Sequence, residues 1–172
     1  MRRRKAGFFL WACVCSATLV TACTTVTPGV KAYKGGAYAT ALQEFKADNS
    51  ARSHYNLGLM YYKGEGVRED KKEAFTWFCK AAEQGYAPAR FSVGVMYYKG
   101  VGVERDREEA AKWLRKAADQ GEAKAQFNLG LMYNNGEGVD KDRGEAVNWF
   151  RKAAKQGHGN AQEILKSWGE EW

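Results

Sequence analysis

Histidine occurs only twice in this sequence, at His54 and His158, and cysteine only once beyond residue 23, at Cys79. A single cysteine closes no disulfide, so no cross-linked framework can be drawn for the bulk of the chain. The two histidines and Cys79 fall at repeat positions where other copies hold Arg, Gln, Tyr or Glu, which reads as solvent-facing and predicts no metal site. Ser-x-x-Lys, Gly-x-Ser-x-Gly, His-Glu-x-x-His and a P-loop are all missing. The Gly-x-Gly of "GEGV" and "GVGV" is a turn between helices and no nucleotide fingerprint. With neither catalytic motif nor phosphate cradle, the expectation is a protein that is not an enzyme and takes no cofactor. Surplus charge is scarce as well. The formal net charge is +7, but Arg2, Arg3, Arg4 and Lys5 supply four of those charges, leaving the remainder near +3. That is too mild to argue for nucleic acid.

Long apolar runs are also lacking. The only one spans Ala6 to Ala22, 17 uncharged residues behind "MRRRK", whereas a transmembrane helix needs roughly 20. A basic start, a short apolar stretch and small residues at its end predict a signal peptide over residues 1–22. "LVTAC" resembles the lipobox of bacterial lipoproteins, with Val20, Thr21 and Ala22 before Cys23. The resemblance implies that the Cys23 sulfur carries diacylglycerol and anchors the protein to a membrane through that N-terminal lipid. Each buried CH₂ of an acyl chain contributes roughly 0.8 kcal/mol, so two or three chains hold durably. By the same resemblance Thr24, where an Asp would suggest inner-membrane retention, implies the outer membrane, facing the periplasm, in a host with two membranes. Thr24 to Gly36 reads "TTVTPGVKAYKGG"; its Thr, Pro and Gly without apolar periodicity predict a lipidated tether over residues 23–36.

What the chain has in abundance is itself. At a period of 36 residues it contains three full copies, 51–86, 87–122 and 123–158, and 16 of the 36 positions hold one residue type in all three. Fixed-period self-similarity of this length marks a solenoid. Each copy resolves into two helices. The first has Ala51, Tyr55, Gly58, Leu59 and Tyr62 at helical spacing and ends at Gly64 and Gly66. Gly58, Gly94 and Gly130 sit inside it, where glycine costs about 1 kcal/mol against alanine; the repetition predicts close approach of a neighbouring helix. Val67, Val103 and Val139 then plug the loop onto the core. The second helix opens with Asp70, Asp106 or Asp142 followed three residues later by Glu, a capping box. Trp77, Trp113 and Trp149 join Ala74, Phe78 and Ala81 in its buried stripe, and Gly85, Gly121 and Gly157 end it. One hairpin cannot bury such side chains alone, so the copies must stack. Residues 37–50 form a degenerate capping half-repeat and 159–172 a C-terminal capping helix.

The run "NLGLMYYKGEGVREDKKEAFTWFCKAAEQG" resembles the Sel-one-like repeat (SLR), a relative of the tetratricopeptide repeat with a longer inter-helix loop. The resemblance covers 51–158 strongly. It implies an all-α fold, an α/α solenoid of stacked two-helix repeats, used as a scaffold for protein–protein interaction, in bacteria often in the envelope. Some exported relatives are cysteine-rich and are credited with penicillin binding or β-lactamase activity; their paired cysteines are missing here, so a cell-wall or β-lactam hydrolase is the disfavoured alternative.

In such repeats the first helix lines the concave groove. Carrying that geometry over places Arg52, Tyr55, Leu59, Tyr62 and Lys63 there from the first copy. The second supplies Pro88, Phe91, Val95, Tyr98 and Lys99, and the third Lys124, Phe127, Leu131, Asn134 and Asn135. Aromatic rings with basic rims suit an extended protein or peptide partner that is acidic or bound by its C-terminus.

Overall fold

The computed structural model describes residues 27–172. The expected signal peptide and Cys23 lie outside the described residues. Among these there are nine helices and no strand: α1 Pro28–Lys34, α2 Tyr38–Ala47, α3 Ala51–Lys63, α4 Lys71–Glu83, α5 Ala87–Lys99, α6 Arg107–Asp119, α7 Ala123–Asn135, α8 Arg143–Lys155 and α9 Gly159–Trp168. Helices α3 to α8 form three hairpins in which α3 packs on α4, α5 on α6 and α7 on α8. The bends between hairpins are equally regular, α4 meeting α5 and α6 meeting α7. The chain is an all-α solenoid.

Glycine sets the spacing inside each hairpin. A Cβ placed on Gly58 would lie 2.6 Å from the Phe78 ring, one on Gly94 2.8 Å from Leu114, and one on Gly130 2.7 Å from the Phe150 ring. The second helix therefore rests a large buried side chain directly on the backbone of the first, as the repeated glycine predicts. Burying a side chain of that size stabilises by roughly 1.5–3 kcal/mol, which exceeds the propensity cost of the glycine.

Four clusters make the core, and those between repeats straddle a boundary. One joins Ala74, Phe78, Ala81 and Ala82 of α4 to Ala89, Val93 and Met96 of α5, with Trp113 of α6 packed against it. The next joins Ala110 to Ala118 of α6 to Ala125, Leu129 and Met132 of α7, with Trp149 of α8. The cluster α8–α9 closes one end and α2–α3 the other. Each hairpin supplies half of two cores, so none is complete alone.

Three expectations need correction. The buried stripe of the second helix is made by Ala74, Phe78, Ala81 and Ala82 and their equivalents. Trp149 is buried with them, but Trp77 and Trp113 are only half-buried. One face of each indole is roofed by the lysine three residues on: Lys80 lies 3.9 Å from the Trp77 ring centroid, Lys116 4.1 Å from Trp113 and Lys152 3.7 Å from Trp149. A cation over an indole is worth roughly 0.5–1 kcal/mol at an exposed site, and the lysine stem covers apolar surface besides.

The capping box is half formed. Asp70, Asp106 and Asp142 accept from the amide of the Glu three residues later, but the cap residue's own N–H donates elsewhere. It goes to the carbonyl of Tyr61, Tyr97 or Tyr133 at 2.9, 3.1 and 3.0 Å. The backbone of the first helix thereby takes the donor that the Glu side chain would have claimed.

The tether over residues 23–36 is contradicted at its distal end, because Pro28–Lys34 is helix α1. Val30 is buried in the cluster of Phe45, Leu57 and Met60, and Tyr33 packs on Tyr38 with ring centroids 5.6 Å apart. Residues 28–47 are thus a shortened hairpin, α1 on α2, and not a half-repeat beginning at residue 37. The signal was present: "AYKG" at 32–35 repeats the "YYKG" of 61–64 and 97–100. A missing stretch of loop had hidden it.

Loop glycines fix the distance between hairpins. Gly102 and Gly138 hold φ of 71° and 70°, and a Cβ there would lie 2.2 Å from the Lys71 carbonyl oxygen and 2.1 Å from that of Arg107. Gly102→Ala combines a left-handed backbone with a backbone clash, and is expected to cost about 1–3 kcal/mol. Chemical denaturation of the variant against wild type measures it.

Candidate functional site

The first helix of each repeat carries two apolar stripes. Leu57 and Met60, Val93 and Met96, and Leu129 and Met132 are fully buried. Beside them Tyr55, Leu59, Tyr62, Phe91, Val95, Tyr98, Phe127 and Leu131 are half-buried and form a continuous second stripe, with Pro88 and Asn134 at the same level. Arg52, Lys63, Lys99, Lys124 and Asn135 are exposed around it.

The structure sorts these residues by what they touch. The Tyr55 ring packs between Phe78 and Tyr86, with centroids 5.4 and 5.2 Å away. Phe127 lies 5.6 Å from Phe150 and stacks on His158 at 4.4 Å. Those two rings are committed to holding their own hairpins together. Phe91, Val95, Tyr98 and Lys99 of α5 face Leu131 and Asn135 of α7 across a recess of about 290 Å³. Leu114 and Met132 close its floor, with Asn128 and Glu137 on its walls.

Glu137 and its equivalent Glu65 were missed as site residues, since only two of three copies hold Glu at that position. The Tyr98 hydroxyl donates to Glu137 Oε2 at 2.5 Å, and the Arg107 guanidinium lies 3.9 Å from the same carboxylate. That hydrogen bond, then burial, pushes the Tyr98 phenol above its ordinary pKa. Tyr33 donates likewise to Glu65, and burial with that bond raises its pKa. Lys63 reaches both, at 3.7 Å from Glu65 and 3.4 Å from the Tyr33 hydroxyl. The face is basic at its rim but holds a carboxylate wherever a Tyr of one hairpin meets a Glu of the next.

The opposite edges of the hairpins are tied by a periodic polar contact. Arg90 Nε donates to the Ala82 carbonyl at 3.1 Å, Gln126 to that of Ala118 at 3.1 Å and Gln162 to that of Ala154 at 3.0 Å. Each adds a side-chain donor to a carbonyl in the last turn of the preceding second helix that already accepts from the N–H of the glycine closing that helix.

His54 shares this repeat position, and the expectation that it faces solvent is wrong: it is 7% exposed. Gln84 Nε2 lies 3.0 Å from its Nδ1, and the Trp77 ring sits 5.4 Å away. His158 is half-buried against Phe127, so it too is more enclosed than expected. Cys79 is half-buried in the α4–α5 core, where burial pushes its thiol up to about 11. A thiol held that high supplies little thiolate for nucleophilic chemistry. No group of three His, Cys, Asp or Glu side chains suited to a metal occurs among the described residues. No helix among them is long and apolar enough to cross a membrane.

The family model for the Sel1 repeat matches residues 51–86, 87–122 and 123–158. Among solved structures, the chain is similar to a Sel1 repeat protein from Oxalobacter formigenes, at 38% identity and a TM-score of 0.75, covering 77% of this chain and 56% of that one. It is also similar to c5321, a protective antigen of uropathogenic Escherichia coli strains with an SLR fold, at 37% identity and 0.76, covering 80% of this chain and 31% of that one. The chain thus spans about half the length of the first and a third of the second. Cysteine-rich protein B of Helicobacter pylori shares the fold at 23% identity and 0.60, over 81% of this chain and 98% of that one. No curated protein matches.

Burial lowers the His54 pKa from 6.5, with Lys80 adding to the effect and Asp48 opposing it. A histidine held neutral in the fold takes up its proton more readily once unfolded. Stability is therefore expected to be full above about pH 6.5 and to fall as pH drops below it. His54→Gln, the residue found at position 126, should flatten that step in denaturation midpoints measured from pH 8 to 5. Asp48, whose pKa is lowered chiefly by the Ser53 hydroxyl, loses its contribution only below its ordinary 3.8.

Proposed function

Because the chain belongs to the Sel1 repeat family, we propose that it is a non-enzymatic scaffold that holds a protein or peptide partner along the face of α3, α5 and α7. The observation that carries this reading is the recess between α5 and α7. It offers partly buried apolar side chains, not used up by the core, flanked by polar groups that can fix the direction of an extended chain. Lys63 and Lys99 at the rim favour a partner with acidic groups, whether side chains or a terminal carboxylate.

We place the protein on a membrane by a lipid at Cys23, in the bacterial envelope and on the outer membrane facing the periplasm. The support is the lipobox-like "LVTAC" behind a basic start. Since α1 begins at Pro28, only Thr24 to Thr27 would separate the lipid from the first hairpin. The solenoid would then lie against the bilayer, its reach limited by four residues. The hydrolase reading gains nothing from Cys79, whose thiol stays protonated.

Two measurements test the parts separately. The full chain used to capture partners from envelope extract should retain at least one protein that is lost with Leu131→Asp, which puts a charge into the recess. The same protein should be retained about tenfold less by Lys63→Glu/Lys99→Glu if its contact is acidic. Cells supplied with labelled palmitate should label the wild-type chain and not Cys23→Ala.

A further inference from the structure

At the two junctions where a repeat tyrosine meets a Glu, the protein fills a carboxylate position with its own side chain. Tyr33 donates to Glu65. Tyr98 donates to Glu137, with Arg107 alongside. At the junction between them, of the first and second repeats, the tyrosine is Tyr62 and the residue in the Glu position is Val101. Both pack against one apolar cluster. Valine accepts no hydrogen bond, so the carboxylate is missing there while the groups that would receive it remain.

The surroundings have shifted in the matching direction. Lys71 stands where Arg107 stands, lying 3.8 Å from the Tyr62 ring centroid and donating to the Tyr62 carbonyl. Lys63 holds the place of Lys99, and Lys99 that of Asn135. The α5–α7 junction has one lysine, one arginine, an asparagine and a glutamate; this one has three lysines and no carboxylate at that position. The carboxylates that Lys63 and Lys71 reach are flanking acids of their own loop, Glu65 at 3.7 Å and Glu69 at 3.3 Å. Lys99 is exposed.

We propose that the α3–α5 junction is a carboxylate-binding subsite, in which the Tyr62 hydroxyl and the ammonium groups of Lys71 and Lys99 receive an Asp or Glu side chain of a bound peptide. A side-chain carboxylate is chosen over a chain terminus because the two occupied junctions take a Glu side chain in that geometry. The subsite rests on the scaffold reading and adds to it a position and a ligand chemistry. The apolar recess one repeat further along would hold the neighbouring part of the same peptide.

The test uses the full chain in non-ionic detergent with two acetylated, amidated hexapeptides, one alternating leucine with glutamate and the other leucine with glutamine. Amidation leaves side chains as the only carboxylates. The glutamate peptide should bind about tenfold more tightly, and Tyr62→Phe should remove about that factor. Val101→Glu should compete internally and weaken binding by a similar factor. The backbone there accepts a Glu in both other copies, so its helical circular dichroism should be unchanged. Equal binding of the two peptides, no binding of either, or full binding by Val101→Glu would overturn the subsite. Should a captured envelope protein still be lost with Leu131→Asp but kept by Val101→Glu, the subsite falls and the scaffold stands; capture of nothing sinks the scaffold.

Discussion

The whole assembly hangs on the contact between a helix backbone at Gly58, Gly94 or Gly130 and the ring or branched side chain laid on it. With no Cβ in the way, the two helices of a hairpin close to a distance at which Phe78, Leu114 and Phe150 are almost sealed from water. That closeness turns the remaining sides of the first helix outward in a fixed register. One side carries Leu57 and Met60 into the junction cores. The next, with Leu59 and Tyr62, is left half-covered. A hairpin held further apart would have swallowed the second stripe or exposed the first. The half-covered stripe is the material of the candidate face, so the face is a by-product of how the core closes.

Junctions between hairpins combine apolar and polar terms that do different work. The apolar clusters supply most of the free energy, since the α4–α5 and α6–α7 boundaries each bury a set of alanines, a Leu or Val, and a Met. The carbonyl contacts of Arg90, Gln126 and Gln162 add little net energy, about 1 kcal/mol each, since each carbonyl already accepts from a backbone N–H. His54 is the one imidazole at this position, and burial lowers its pKa. It meets Gln84 of its own repeat, as Gln126 meets Gln156, whereas Arg90, Gln126 and Gln162 bond a carbonyl of the hairpin before. The α2–α3 boundary therefore differs from the others in kind.

Architecture was legible in the sequence wherever chemistry is forced to repeat. The period, the helix ends at the Gly-x-Gly loops, the Asp caps and the interior glycines each correspond to a backbone need that few residues meet. Legibility failed where a position is set by tertiary surroundings. His54 aligned with Arg90 and Gln126 looks like a solvent position, because three polar residues in a column usually mean water; here Arg90 and Gln126 reach a buried carbonyl and His54 reaches Gln84. The tryptophans recur as core residues do, yet two are shared between core and surface under a lysine. Helix α1 was hidden by a deletion that moved its "AYKG" out of the period. The recess could be outlined from the first-helix stripe, but Glu137 on its wall comes from the loop of the next repeat, and no pattern within one copy reveals a neighbour across a boundary.

The loop glycines carry a consequence for the way such chains change. At Gly102 and Gly138 the distance between successive hairpins is set by main chain against main chain, with the Lys71 and Arg107 carbonyls as the stops. Such a stop is indifferent to side-chain identity on either side. Units can then be duplicated, deleted or exchanged along the rod while the pitch is conserved, and variation accumulates on the outward stripes without disturbing the joint. The rod behaves like a ruler whose graduations are stamped in peptide groups, and on which only the lettering is free to evolve.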